Sequence, residues 1–504
     1  MMRITLLIVV GSLGLLFWNS FSQAADLATE GVRPNVLFIA LDDLRPELGC
    51  YGQGHIHSPH IDALAGGGVV FERAYCQYPV CNASRASIMT GLRPDSTGVY
   101  DNGTSFRRKA PEVVALPQHF KDHGYLTQAF GKIYHGAFET AYVGRKFDDP
   151  LSWTLGHWYG SPRYYFSPRG IEVAREVYGK KFKKSGAERD GWTEEFVQGL
   201  ATEAPDVEDH LLYDGEMTGL AIEAIERLRG QPFFLAVGYL KPHLPFVAPK
   251  KYWELYDRER IALPEPAAFP QDAPPLAFQA GGELHGQYTN MRERDLSPEQ
   301  IRELRHGYYA CVSFVDAQIG RLLAALDRFQ LTDKTIVVLW GDHGWHLGEQ
   351  GIWGKMTDFE LGTRVPLIVR APGRKARGQG SSSLVELVDV YPSLCDLAGL
   401  PAPPHLEGTS FAPILEDVQA TTKTAAFSQV IHEKTMGRTI RTDRYRLTLW
   451  HPNATPHRLV GTELYDYQQA SIEQRNLATQ AQYAGLIQRL SQQLEAGWQA
   501  AQRP

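Results

Sequence analysis

The stretch Asn35-Val36-Leu37-Phe38-Ile39-Ala40-Leu41-Asp42-Asp43 decides the fold. Val36 to Leu41 is apolar without interruption, so it has no face for water and reads as a strand buried on both sides. The run stops on two carboxylates, and in open α/β sheets ligands sit at the carboxyl ends of the strands. Working outward, the same alternation repeats. Ile61 to Leu64 reads as a helical turn and Val69 to Phe71 as a short strand; Leu116 to His123 reads as a helix and Leu126 to Phe130 as a strand. Met217 to Leu228 places Leu220, Ala221, Ala224, Ile225 and Leu228 at helical spacing and leads into a buried strand over Phe233 to Leu240. The longest helical stretch, Ser297 to Phe329, opens on a Ser-Pro-Glu-Gln start signal. It precedes a strand over Thr335 to Trp340 that stops at Gly341-Asp342-His343. The expected fold is α/β, a large and mainly parallel sheet with helices on both faces. Asp42-Asp43 and Asp342-His343 each fall at a strand end.

The composition suits a globular chain. Of 504 residues, 43% are hydrophobic and 21% charged, enough for one large domain plus a smaller one. With 51 Lys+Arg against 57 Asp+Glu there is no basic excess, which argues against nucleic-acid binding. Residues 140–215 and 255–300 lack a clear period and are rich in Pro, Gly, Trp and Tyr, so they read as long surface insertions. From about Thr421 the pattern shifts. Thr439–Ile440 and Tyr445 to Trp450 are strand-like, and Gln482 to Trp498 reads as a terminal helix. The expected divisions are a signal peptide at 1–24, a large α/β domain at 33–420 and a small α+β subdomain at 421–504. The signal peptide is read from Arg3, the apolar run Ile4 to Trp18 and the small residues around Ser22-Gln23-Ala24. That run falls short of the roughly 20 apolar residues that span a bilayer, and no later stretch reads as apolar for long enough. The expectation is an exported protein, periplasmic or secreted (lysosomal or extracellular in a eukaryote), with no membrane contact once the signal is removed. Five scattered cysteines (Cys50, Cys76, Cys81, Cys311, Cys395) make neither a disulfide scaffold nor a CxxC motif.

Asp42-Asp43 in isolation reads as a turn or helix cap, and Asp342-His343 as a polar turn. Together, three carboxylates and an imidazole at two strand ends form an oxygen-rich site suited to a hard divalent cation. Between them lies Cys81-Asn82-Ala83-Ser84-Arg85, followed by a short helical stretch from Ala86 to Gly91. A cysteine near a helix N-terminus is expected to have a lowered pKa; by itself the segment also reads as a buried structural cysteine. Asn82-Ala83-Ser84 matches a glycosylation acceptor, but a tight nucleophile turn is a poor place for one. Trp153, His157, Trp158, Tyr159, Tyr164 and Tyr165 either line a sugar subsite or pack an insertion against the core.

Cys81-x-Ala83-x-Arg85, with Gly91 and Arg93-Pro94, resembles the signature of the formylglycine-dependent sulfatases of the alkaline phosphatase superfamily. In that family the cysteine is oxidised after translation to an aldehyde. The resemblance runs from about residue 33 to the C-terminus. It includes Pro34-Asn35-Val36-Leu37, Ser58-Pro59-His60-Ile61-Asp62, Gly131-Lys132-Ile133-Tyr134-His135, Lys241-Pro242-His243 and Gly341-Asp342-His343-Gly344-Trp345. Asp42-Asp43-Leu44-Arg45-Pro46, Leu48-Gly49-Cys50-Tyr51-Gly52 and Arg93-Pro94-Asp95 are similar to the iduronate-2-sulfatase subgroup. Ala83 stands where proline is commoner, and Met356 where the mammalian enzyme resembles this chain less.

The resemblance implies hydrolysis of sulfate esters on a sulfated saccharide, through a formylglycine made from Cys81 and a calcium ion (Ca2+). Asp42, Asp43, Asp342 and His343, together with position 81, are the implied metal site. A hydrated aldehyde carries two hydroxyls on one carbon; one attacks sulfur and the other later expels sulfate. Arg85 and Lys132 are implied to hold the hydrate, Lys132 also lying near the sulfate, and Lys355 to add positive charge at the sulfate. His135 is implied as the base that opens the sulfated intermediate, and His243 as the acid for the departing alcohol. The implied partners are the sulfated saccharide and a formylglycine-generating maturation enzyme. Two other readings use the same residues: a phosphate monoester or phosphonate ester hydrolase of the same superfamily, and a non-catalytic binder of sulfated glycans. Lys132, His135 and Lys355 favour sulfate. A binder is expected to lose the cysteine or a carboxylate, and this chain keeps them all.

Overall fold

A nine-stranded sheet lies at the centre of the fold, seen in a computed structural model that describes residues 33–135, 148–160, 163–182, 199–279 and 281–503. The expected signal peptide at 1–24 and part of the first insertion lie outside the described residues. The strands are β1 (Asn35–Asp42), β2 (Val69–Tyr75), β3 (Leu126–Gly131), β4 (His157–Trp158), β5 (Phe233–Pro242), β6 (Thr335–Gly341), β7 (Arg364–Val365), β8 (Leu367–Arg370) and β9 (Gln379–Glu386). Their order is β7-β2-β8-β6-β1-β5-β3-β4, with β9 beside β2. β1 pairs in parallel with β5, Val36 opposite Phe234, and with β6, Val36 opposite Ile336. Only β7 and β8 run against the rest, through antiparallel pairings with β2 and β6. The mainly parallel sheet is therefore the one expected.

Both faces of β1 are covered. Leu37, Ile39 and Leu41 face one core, built with α1 (Pro59–Gly66), and Val36, Phe38 and Ala40 face the other, built with α2 (Cys81–Thr90) and α3 (Leu116–Asp122). The first core also holds α4 (Tyr213–Leu228) and α5 (Pro298–Arg328), and the second holds α6 (Val390–Ala398). The period of two explains why the run had to be apolar at every position. α5 starts where the sequence indicated, with the Ser297 hydroxyl accepting from Gln300 N–H in a capping box. By length and composition α5 is apolar enough to cross a membrane, which corrects the expectation that no later stretch is. Its apolar window is 78% buried, however, and it serves as a core helix. The second insertion also departs from expectation. Leu284, Tyr288 and Met291 are buried in the first core, so residues 255–300 are not simply surface.

Beyond Thr421, β10 (Ala425–His432), β11 (Thr435–Thr442), β12 (Tyr445–Pro452) and β13 (Gly461–Asp466) form a four-stranded antiparallel meander, against which α7 (Ala484–Ala496) packs. Buried ion pairs join this smaller sheet to the rest: Arg446 and Arg441 to Glu360 at 2.7 and 3.3 Å, and Lys423 to Glu386 and Asp389 at 2.7 and 2.6 Å.

Candidate active site

Cys81 is the first residue of α2, and its side chain is wholly buried. One turn later Arg85 shares its helix face. Arg85 Nε donates to Asp342 Oδ2 at 2.9 Å, and Nη2 lies 3.5 Å from Asp42 Oδ1. Nη1 donates to the carbonyls of Lys132 and Ile133. Arg85 thus ties together the ends of three strands. The Asn82 side-chain amide donates to the carbonyls of Asp101 and Thr104, each at 2.8 Å, so the nitrogen of the acceptor sequence is engaged within the fold.

Because β1 and β6 are neighbours in register, Leu41 lies opposite Gly341, and Asp42 and Asp342 emerge side by side. Asp43 then turns with a φ of 62°, a left-handed conformation uncommon outside glycine. The turn is held from α5, where the Tyr308 hydroxyl donates to Asp43 O at 2.9 Å and accepts from Arg45 N–H at 3.1 Å. The result is convergence. Ligand atoms of Asp42, Cys81, Asp342 and His343 lie within 4.8 Å of one another, as do those of Asp43, Cys81 and His243.

The cations reach in from three other segments. Lys132, just past β3, donates from Nζ to Asp42 Oδ2 at 2.5 Å. Its backbone packs on Gly238 of β5, where any Cβ would stand 2.1 Å from Lys132 O. Lys355 Nζ donates to Asp43 Oδ1 at 2.7 Å and lies 3.3 Å from Cys81 Sγ. His243 follows β5 in a turn fixed by Lys241, whose Nζ donates to the carbonyls of His243 and Pro245. The His243 Nδ1–H donates to Leu244 O, which leaves Nε2 facing Asp43 Oδ2 at 3.9 Å and Asp42 Oδ2 at 4.0 Å. His135, three residues past Lys132, is buried.

Charge sets the states of these groups. Burial would raise Asp42, but Lys132, His243, Arg85 and Lys355 hold its carboxyl well below the usual range. Burial lifts Asp43 to about 7, with Lys355 opposing and Asp42 adding to the rise. Cys81 corrects the expectation of a lowered thiol pKa. Burial and the Asp42 charge push it well above 9.0, and Lys132 and Lys355 do not compensate.

Sequence reasoning missed Glu283. It comes from the short helix Gly282–Gln287, inside the second insertion, and reaches His243 Nε2 at 3.3 Å and Lys355 Nζ at 3.4 Å. No motif or period marked it. The aromatic stretch resolves toward packing: Trp153 and Tyr165 are buried, Trp158 stacks on Tyr213, and His157 bridges Asp148 and the carbonyl of Gly131.

Residues 34–400 match the Sulfatase family, and residues 348–500 match "N-sulphoglucosamine sulphohydrolase, C-terminal". Iduronate 2-sulfatase from Homo sapiens is 37% identical over 75% of this chain and 71% of that protein. Choline-sulfatase from Rhizobium meliloti is 30% identical over 77% and 73%. A solved structure described as holding its substrate, D-glucosamine-2-N,6-O-disulfate, has a TM-score of 0.71 at 21% identity, covering 93% of this chain and 98% of that one. Phosphonate monoester hydrolase from Silicibacter pomeroyi has a TM-score of 0.70 at 24% identity, covering 92% and 95%. These solved structures share the fold of this chain. The chain belongs to the sulfatase family and is a sulfuric ester hydrolase.

Proposed function

We propose that the enzyme removes sulfate from a sulfated saccharide, with position 81 matured from cysteine to formylglycine and a calcium ion held by Asp42, Asp43, Asp342 and His343. The convergence of Asp42, Cys81, Asp342 and His343, with Lys132 and Lys355 against them, carries this reading.

The donor set fits a hard cation. His343 donates Nδ1–H to Gly344 O, so its Nε2 lone pair points into the cluster, 3.1 Å from Cys81 Sγ, 3.4 Å from Asp43 Oδ1 and 3.6 Å from Asp342 Oδ1. Asp43 Oδ2 is buried without a hydrogen-bond partner. Acceptors turned toward acceptors are stabilised by a cation between them, and a mostly oxygen set suits calcium. Glu283 included, four carboxylates face the fixed charges of Arg85, Lys132 and Lys355. A divalent cation converts that small negative excess into a positive one, matched to an anionic sulfate ester.

The matured residue supplies paired hydroxyls on one carbon, and the cation lowers their pKa and neutralises sulfate oxygens. The remaining work falls to the chain itself. Arg85 fixes the two strand-end carboxylates. Lys132 and Lys355 bind sulfate oxygens and meet the charge that shifts during attack. His243 holds a proton at Nε2 for the departing alcohol, and His135 is the base of the release step. All of these lie in the proposed catalytic domain, 33–420, ahead of the subdomain at 421–504. The 37% identity to an iduronate 2-sulfatase supports the saccharide substrate. The apolar leader supports export to where such polymers are met.

The test is to co-express the chain with a formylglycine-generating enzyme and offer defined sulfated saccharides beside phosphate and phosphonate monoesters. Inorganic sulfate from a saccharide, with an aldehyde in the Cys81 peptide by mass spectrometry, is the expected result. Faster turnover of the phosphorus esters would establish the second reading instead. An active enzyme with only thiol at position 81 would overturn the mechanism.

A further inference from the structure

His432 ends β10 and is 4% exposed. Its Nδ1 lies 2.6 Å from Leu276 O and its Nε2 2.5 Å from Met356 O. A carbonyl oxygen only accepts, so each contact needs an N–H, and only the imidazolium carries two. Met356 is the residue after Lys355. Its φ of 66° is left-handed, a conformation an ordinary side chain rarely adopts and that persists only where the surroundings fix it. Its own N–H donates to Pro79 O at 3.2 Å, two residues ahead of Cys81. The Met356 residue is therefore held at its amide by the segment leading into α2 and at its carbonyl by the C-terminal sheet. Lys355, one residue back, is thereby set against Asp43 and Cys81.

We propose that His432, as an imidazolium, is a positioning residue: it holds Met356 in its left-handed turn and so places Lys355 in the sulfate pocket. The inference rests on the sulfatase reading for what Lys355 does there. The surroundings of His432 are few in charge. Trp450 packs on its ring at 5.1 Å, Glu433 follows it in the hairpin, and the Leu276 segment presents a carbonyl. On the Met356 segment Lys355 is turned to Asp43, and Asp358 lies buried two residues on. Burial of the ring outweighs the two carbonyls and Glu433, which leaves the His432 pKa below 6.5. Both bonds are then complete at acid pH, and one is lost as pH rises through that pKa.

The test uses the matured, metal-loaded enzyme labelled with [15N]histidine, with the His432 signal assigned by its loss in His432→Gln. Two ring N–H groups at the acid end, falling to one as pH rises, are expected. His432→Gln should raise KM for 4-nitrophenyl sulfate on the order of tenfold, the effect of misplacing one charged hydrogen-bond donor, with less change in kcat. It should also remove the matching limb of the pH profile. Glycine adopts positive φ freely, so in a Met356→Gly background the same substitution should cost less, whereas a merely structural histidine would cost equally in both. A His432 that stays neutral wherever the protein is folded, or a His432→Gln enzyme with wild-type KM and pH profile, overturns the proposal. If the wild type releases no sulfate, the sulfatase reading has failed and the titration alone decides this one.

Discussion

Asp42 and Asp43 are one peptide bond apart and are held in opposite electrostatic conditions, the first deeply acidic and the second lifted to about 7 by burial. Removing a charge from either end of the cluster should release a bound cation without unfolding the chain. Asp42→Asn and Asp342→Asn are expected to lose metal by elemental analysis and most activity, with circular dichroism unchanged; metal retained at full occupancy in both would refute the ligand assignment. His243 and His135 separate by leaving group. General-acid help is worth roughly 10²–10⁴-fold, and a sugar alkoxide needs it far more than a nitrophenolate. His243→Ala should therefore slow a sugar sulfate much more than 4-nitrophenyl sulfate, while His135→Ala slows both, because release no longer involves the alcohol. Equal losses for His243→Ala on both substrates, with chemistry rate-limiting, would make it a sulfate binder. Most of these residues were legible in the sequence because they sit at strand ends or in short motifs. The ionisation of Cys81 was not, since Asp42 and the burying shell come from distant parts of the chain.

Among the elements, the short helix Gly282–Gln287 has the most to say about binding. Glu283 pairs with both His243 and Lys355, the groups proposed to receive the substrate, and these two with Lys132 keep its carboxyl ionised against burial. An incoming sulfate competes with that carboxylate. Glu283→Gln should lower KM for 4-nitrophenyl sulfate, and strengthen inhibition by free sulfate, about two- to fivefold, the range of a partly exposed ion pair; unchanged values for both would remove Glu283 from the binding face. Element legibility followed burial. β1, β5 and β6 carry continuous apolar runs and were read within two residues of their ends. β8 has four residues directly after Pro366, and β9 opens on Gln-Gly-Ser-Ser-Ser, so neither offered a period to read. Their pairing with β2 and β6 is a tertiary event, as is the docking of Glu283.

For the molecule as a whole, pH acts through carboxyls shut inside it. Glu463 accepts from Trp450 Nε1–H at 2.7 Å and from the Tyr465 hydroxyl at 2.5 Å, and burial lifts it from 4.5 to about 7 against those bonds. The folded state keeps a proton there that the unfolded chain gives up, so stability falls as pH rises across that window. The difference is worth about 3 kcal/mol. Glu463→Gln keeps the Trp450 bond at its carbonyl oxygen and turns the Tyr465 bond round, its amide donating to the hydroxyl oxygen, so it should abolish its share of the decline, measured by urea denaturation at each end of the window; an undiminished decline in the variant would refute the assignment. The burial of Cys81 has a consequence of another kind, one of timing. Its cover is assembled from segments as far apart as Asp42 and Lys355. A catalyst that oxidises this side chain must therefore arrive before those segments meet, and a chain that closes as cysteine stays cysteine. Under the maturation proposed above, each molecule would carry a record of its own first moments, and the aldehyde fraction of a preparation would count the chains that were intercepted in time. Adding the maturation enzyme to folded thiol protein should yield no aldehyde, whereas the same protein held unfolded should be converted.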